Sequence, residues 1–393
     1  MSAPTIHLKP SKERPVLLGH PWIFSGAIGD LDPALPPGTV VSIRSAAGEF
    51  LGRGYANPRC AIAARVLTRT DESIDARFFQ RRVADAVALR RAVVPPDTDA
   101  YRLINGEGDY LPGFIADVYG PIIVLQCLTA GATRLQVGLV EALQATLDPV
   151  GIYERSTGSV RREEGLEPAH GVVASDVPVG PLWVREAGHR FIVDVRGGQK
   201  TGFFLDQRDN RALVEQLAAD RTVLNAFAYT GAFSTYAGAG RAHHVVSVES
   251  SARALDLAQQ NWDGNSLAAA AAEFVEADVF QYLRETDRTF DLLILDPPAL
   301  VKRRHEVERG ARAYKDLHLW ALRRAQAGAY IFTFSCSQHL PAELFWKIVH
   351  GAAVDARRDV QVLRHLGPGA DHPTSLAHPA GEYLKGLLLR VMA

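Results

Sequence analysis

From about residue 190 to residue 335, apolar β-rich runs alternate with helix-length segments, and each run ends on or beside a polar residue. The runs are Val223 to Phe227, Val245 to Glu249, Phe274 to Ala277, Leu292 to Leu295 and Ala329 to Phe334. Strands separated by helices rejoin one sheet through crossovers, so this pattern predicts parallel strands with right-handed connections. The fold class expected is α/β, a doubly wound Rossmann-like sheet. Such a sheet binds its ligand at the carboxyl ends of its strands.

The preceding chain reads differently. Residues 1–70 are short strands and turns, among them Val41 to Arg44, Phe50 to Tyr55 and Ile62 to Leu67, and predict a small β-barrel. Ser73 or Asp75 is placed to cap a helix over Arg77 to Arg91, which Pro95-Pro96 stops. Residues 71–187, with a strand at Ile122 to Leu128 and a helix at Leu135 to Leu147, form a middle α/β domain, and 188–393 the third domain. The alanine run Ala268 to Ala272 reads as a helix end or loop. A chain of 393 residues, 47% of them apolar, is long enough for two to three such cores.

No apolar run approaches the ~18–20 residues of a membrane helix, and the polar Met1 to Pro10 segment does not resemble a signal peptide. Three cysteines, Cys60, Cys127 and Cys336, make neither a disulfide framework nor a zinc spacing. A reducing cytoplasm is the location expected. A net charge of −1 argues against a generally basic nucleic-acid coat but leaves room for local basic faces. Arginines cluster at Arg81-Arg82, Arg90-Arg91, Arg161-Arg162, Arg303-Arg304 beside Lys302, and Arg323-Arg324. They read either as phosphate-binding forks or as solvated helix faces.

The turn Ala226 to Gly231 follows the first strand of the third domain, where doubly wound folds hold nucleotides. Only Gly231 remains of the usual glycine pattern, so a phosphate cradle is not expected and an adenosine-type ligand such as S-adenosylmethionine is. Glu249, with Ser250 after it, ends the second strand, where an acid can accept from both ribose hydroxyls. Asp278, followed by Val279, ends the third and is placed for the adenine amino group. Asp296-Pro297-Pro298 ends the fourth.

Gly198 to Arg208 (G-Q-K-T-G-F-F-L-D-Q-R), Asn225 to Ser234 (N-A-F-A-Y-T-G-A-F-S), Ser335 to His339 and Glu382 to Leu387 resemble the bacterial ribosomal RNA large-subunit methyltransferase I family. Gly19 to Phe24 resembles the opening of that family's PUA domain, an RNA-binding β-barrel, and Tyr101 to Gly113 is similar to its middle segment. The resemblance implies S-adenosylmethionine as cofactor, large-subunit ribosomal RNA as partner, and a homodimer. It places Lys200, Asp206, Gln207 and Arg208 over the methionine end of the pocket. They join Asn225, Phe227, Tyr229, Thr230, Gly231, Glu249, Ser250, Asp278, Val279 and Asp296 as expected cofactor residues.

The chemistry implied is formation of 5-methylcytosine. Cytosine C5 is not nucleophilic until a thiolate has added to C6, and a base must later remove the C5 proton. A lone cysteine is ordinarily a small buried hydrophobe. Cys336, between two serines at a strand end, is instead the expected nucleophile, whereas Cys60 and Cys127 lie in strand-like apolar settings. Asp296 would hydrogen-bond the base edge. Related enzymes often carry a second cysteine after D-P-P; here Ala299-Leu300 follows, leaving Glu382 as the expected base. Nitrogen methylation of guanine or adenine is the alternative chemistry, which Ala299 disfavours because an aromatic residue usually stacks the base there. A non-catalytic RNA-binding assembly factor is the alternative of another class.

Overall fold

The computed structural model describes residues 3–178, 180–268 and 271–392, so Ala269 and Ala270 of the alanine run lie outside the described residues. The chain forms two compact units, one of residues 1–187, 193–205 and 370–381, the other of 188–192, 206–369 and 382–393.

The first unit holds two mixed sheets. Strands β1 (Thr5–His7), β2 (Trp22–Phe24), β3 (Thr39–Arg44), β4 (Phe50–Ala56) and β5 (Ile62–Thr68) form one, in the order β1-β3-β4-β5-β2. Ile6, Ile23, Val41, Ile43 and Ala64 fill its core. Strands β6 (Ala100–Asn105), β7 (Phe114–Tyr119), β8 (Ile122–Cys127), β9 (Gly151–Ser156) and β10 (Ala169–Ser175) form the other, in the order β10-β9-β8-β7-β6. Two helices, Ala76–Val93 and Ala130–Leu147, supply Phe78, Phe79, Val83, Leu139 and Leu143 to its core. Asp75, not Ser73, caps the first of them, its Oδ1 accepting from the amides of Arg77 at 3.0 Å and Phe78 at 3.1 Å.

One arginine in each of two clusters is buried, which the sequence did not suggest, while its neighbour, Arg91 or Arg162, is exposed. Arg90 is buried and forks onto both carboxylate oxygens of Asp109, while also donating to the carbonyls of Arg102 and Asp371. Arg161 is buried and donates to the carbonyls of Cys127 and Glu167. These guanidiniums satisfy buried acceptors inside the unit. Cys60 is also a correction: it lies in the turn after β4, its thiol 3.3 Å from the Glu163 carbonyl, and not in a strand.

Two further strands, β11 (Leu182–Glu186) and β12 (His189–Val193), precede the large sheet of the second unit. That sheet has seven strands: β13 (Thr222–Ala226), β14 (His244–Glu249), β15 (Ala272–Glu276), β16 (Phe290–Leu295), β17 (Ala325–Ser335), β18 (Val360–Leu366) and β19 (Lys385–Val391). Their order is β15-β14-β13-β16-β17-β19-β18. The first five in that order are parallel, and β19 inserts antiparallel between β17 and β18. Side chains alternate between faces as the strand period of two requires. Leu224, Val246, Leu293 and Leu295 meet Leu283, Leu317 and Ile348 from helices on one side. Val223, Val245, Leu292 and Ile294 meet Val214, Phe233 and Trp262 on the other. Among the described residues, no helix is long and apolar enough to cross a membrane.

Candidate active site

The carboxyl ends of the five parallel strands form one edge of the sheet. In spatial order they are followed or closed by Asp278 (β15), Glu249 (β14), Asn225 (β13), Asp296 (β16) and Cys336 (β17). The chain reverses its winding direction between β13 and β16, so the crevice that an open α/β sheet offers to ligands opens between Asn225 and Asp296.

The turn after β13 is built against local preference. Phe227, Tyr229 and Gly231 all have positive φ, at 61°, 47° and 72°, and for the two aromatic residues that conformation costs about 1–3 kcal/mol each. Tertiary hydrogen bonds hold it. The Ala228 amide donates to the Val248 carbonyl at 3.0 Å and the Tyr229 amide to Glu249 Oε2 at 3.0 Å. Asn261 Nδ2 donates to the Thr230 carbonyl at 2.8 Å, and Asn225 Nδ2 to the Ser234 hydroxyl at 2.8 Å. Gly231 begins the helix Ala232–Ala239, and a Cβ there would stand 2.7 Å from that of Ala258, so glycine sets both the turn and the helix packing.

Glu249 organises this corner. Its Oε1 accepts from the amides of Ser250 and Ser251 and from the Ser250 hydroxyl, at 2.8, 3.1 and 3.1 Å. Oε2 takes only the Tyr229 amide among these bonds, and so keeps lone-pair capacity for a ligand hydroxyl. Asp278 has a structural task as well: it caps the helix Val279–Glu285, Oδ1 accepting from the Gln281 amide at 2.9 Å, with Val279 buried behind it.

At the β16 end, Asp296 Oδ2 accepts from Gln207 Nε2 at 2.9 Å. Gln207 Oε1 in turn accepts from Asn210 Nδ2 at 2.6 Å, and Asn210 donates to the Gly367 carbonyl at 3.0 Å. Asp206 accepts from the Tyr383 hydroxyl at 2.6 Å. Asp206, Gln207 and Arg208 are all buried. Lys200 belongs to the other compact unit, where it is exposed with its ammonium 4.4 Å over the Phe204 ring.

Cys336 follows β17 and is half-buried. Buried hydroxyls fix its loop: Tyr314 bonds Ser335 at 2.9 Å and Ser337 at 3.0 Å, and Ser337 Oγ accepts from the Val301 amide at 3.1 Å. Burial pushes the Tyr314 phenol up, so it stays protonated as a donor. Because β19 runs antiparallel to β17, Lys385 pairs with Ser335, and its Nζ donates to the Ser337 carbonyl at 2.9 Å. Burial pulls the Lys385 ammonium below its usual range, while its electrostatic interactions with Cys336 and Glu382 act in the opposite sense. Glu382, three residues before β19, is exposed at the same edge. Tyr314 is not legible at this site from sequence; Lys385 lies within the Glu382 to Leu387 segment, but its contact with the Ser337 carbonyl follows only from the register of β19. Among the described residues, no cluster of three or more ligating side chains suits a metal ion.

Residues 6–69 match the family model of a PUA-like domain, and residues 169–317 that of an S-adenosylmethionine-dependent methyltransferase. Two solved structures, one assigned as an S-adenosylmethionine-dependent methyltransferase from Streptococcus mutans and the other a methyltransferase complexed with S-adenosylhomocysteine, share the fold. Their TM-scores are 0.83 and 0.84 at 24% identity, over 99% and 100% of this chain and 100% of each of theirs. With the strand-end geometry above, these matches define an S-adenosylmethionine-dependent methyltransferase with a PUA-like domain. Ribosomal RNA large subunit methyltransferase I of Cronobacter sakazakii is 42% identical over 98% of both chains, and that of Pseudoalteromonas atlantica 43% identical over 98% of this chain and 99% of its own. The chain belongs to the ribosomal RNA large subunit methyltransferase I family.

Proposed function

We propose that this protein methylates C5 of a cytosine in large-subunit ribosomal RNA, in the cytoplasm, with Cys336 as nucleophile. The observation that carries the reading is the hydrogen bond from the Val301 amide to the Ser337 hydroxyl, which ties the loop of Asp296-Pro297-Pro298 to that of Ser335-Cys336-Ser337. A cysteine so braced, beside an acid and a lysine at a ligand-binding strand edge, suits covalent catalysis better than core packing. The nitrogen-methylation reading has no use for that thiol.

The cofactor residues fit the group they would hold. Glu249 Oε2 has capacity for the ribose diol, and the Thr230 hydroxyl is buried without a partner among the described residues. Asn225, Phe227, Tyr229, Gly231 and Ser250 would shape the rest of that corner, Asp278 and Val279 the adenine end, and Asp206 to Arg208 the methionine end. S-adenosylmethionine supplies the methyl group. Cys336 adds as thiolate to C6, making C5 nucleophilic, while Asp296 holds the base edge. Once C5 carries the methyl group, Glu382 takes its proton and the Cys336–C6 bond breaks, returning the thiolate. In this reading residues 1–70 and 71–187 grip RNA, 188–393 carry the chemistry, and the active species is a homodimer.

RNA bearing 5-fluorocytosine tests it, because fluorine at C5 cannot leave as a proton. Wild-type enzyme should form a covalent complex stable to denaturing electrophoresis. Cys336→Ala should form none, and Glu382→Gln should still form it. Robust methyl transfer by Cys336→Ala would move the assignment to nitrogen methylation.

A further inference from the structure

Where Arg90 and Arg161 close the interior of the first unit, two other arginines border a cavity of about 220 Å³ beside β5. Arg69, Arg82, Thr68, Thr70, Glu107 and Tyr110 stand on its wall. Pockets for drug-sized ligands run to roughly 300–1,000 Å³, so this one suits a single base or phosphate group.

Tyr110 is the unusual element. It is 58% exposed and has φ of 57°, in the left-handed region that asparagine or glycine occupies with less strain. An exposed aromatic ring on strained backbone contributes little to the fold. The Arg82 guanidinium lies 5.3 Å from the centroid of the Tyr110 ring and equally far from that of Phe78, so Tyr110 is backed on one face. Arg82 also donates to the Leu67 carbonyl at 3.0 Å, while its Nε is buried without a partner among the described residues. Glu107, the acid on this wall, accepts from Trp22 Nε1 at 2.7 Å and is thereby held toward the indole. Gly19, with φ of 107°, leaves space for Arg69: a Cβ there would come within 3.3 Å of its guanidinium.

We propose that this cavity binds an unpaired nucleotide of the RNA substrate, its base stacked on the open face of Tyr110 and its phosphate on Arg69. The inference rests on the reading of RNA as substrate. Aromatic platforms read every base through its π-face, and an adjacent arginine adds a salt-dependent phosphate contact.

The test is fluorescence anisotropy of the full-length protein with a labelled single-stranded fragment of large-subunit ribosomal RNA, paired with thermal unfolding of each variant. Tyr110→Asn should weaken binding roughly 5- to 150-fold, the range of one lost base stack, while leaving Tm unchanged or raised because backbone strain is relieved. Tyr110→Phe should bind like wild type. Arg69→Gln should weaken binding and lower the salt dependence by about one ion. Wild-type affinity in both Tyr110→Asn and Arg69→Gln would overturn the site, as would a binding loss matched by a fall in Tm. Absence of RNA binding by wild type would overturn the substrate reading itself.

Discussion

The amide of Val301 donates to the hydroxyl of Ser337 at 3.1 Å, joining two loops 36 residues apart in sequence. Ser337 is fully buried, and the same hydroxyl bonds Tyr314. The relative position of the loops that carry Cys336 and Asp296 therefore depends on the buried hydroxyls of Ser337, Tyr314 and Ser335.

Ser337→Ala would leave the buried Val301 amide short of a partner, while Tyr314 keeps Ser335, at a cost of about 1–3 kcal/mol. Denaturant unfolding should register that loss. Methyl transfer should fall by up to about 100-fold, the effect of a small misplacement of reacting groups, while S-adenosylmethionine affinity by calorimetry stays near wild type. Equal losses in both would mean that the network supports the whole sheet edge.

Glu249→Ala should weaken S-adenosylmethionine binding by about 1.5–3 kcal/mol, the scale of hydrogen bonds to a charged group. Part of that loss comes from the turn itself, since the carboxylate also accepts from Tyr229, Ser250 and Ser251. Unchanged affinity in a folded Glu249→Ala protein would remove the ribose assignment.

Gly231→Ala places a Cβ at a φ of 72° and 2.7 Å from that of Ala258. Backbone strain of about 1–3 kcal/mol and crowding of similar size should lower Tm and cofactor affinity together. Ala258→Gly in the same chain should recover part of the crowding loss and none of the strain.

His318 is buried between the Tyr314 carbonyl and the Thr333 hydroxyl, and burial pulls its pKa from 6.5 to about 4. The folded state thus holds the neutral ring while the unfolded chain takes up a proton below pH 6.5. Stability from this group is complete above that pH and is lost as pH falls toward 4, by about 3 kcal/mol at most. His318→Gln should flatten the pH dependence of Tm across that window. Identical pH profiles for the two proteins would show that other groups control it.

Sequence by itself determined the parallel sheet and the residues at its strand ends. Continuous apolar runs such as Leu292 to Leu295, separated by helical segments, leave one sheet type, and a strand's last residue is a local property. For that reason Asn225, Glu249, Asp278, Asp296 and Cys336 are legible in the sequence as a set of strand-end residues. The helix cap was legible to within two residues, because Ser73 and Asp75 offer the same side-chain chemistry and only the path of the chain chooses between them.

Only the tertiary structure decided what those residues rest on. Asp206 meets Tyr383 across 177 positions, and Lys385 reaches Ser337 across 48. Both contacts follow from the antiparallel insertion of β19 between β17 and β18. Residues 370–381 likewise pack with the first unit, where the Arg102 amide donates to Asp371 at 2.9 Å. Local patterns carry the period of a segment and the chemistry of its turns. Register and partner are set by which long-range pairing buries the most apolar surface with every polar group satisfied, and that choice belongs to the whole chain.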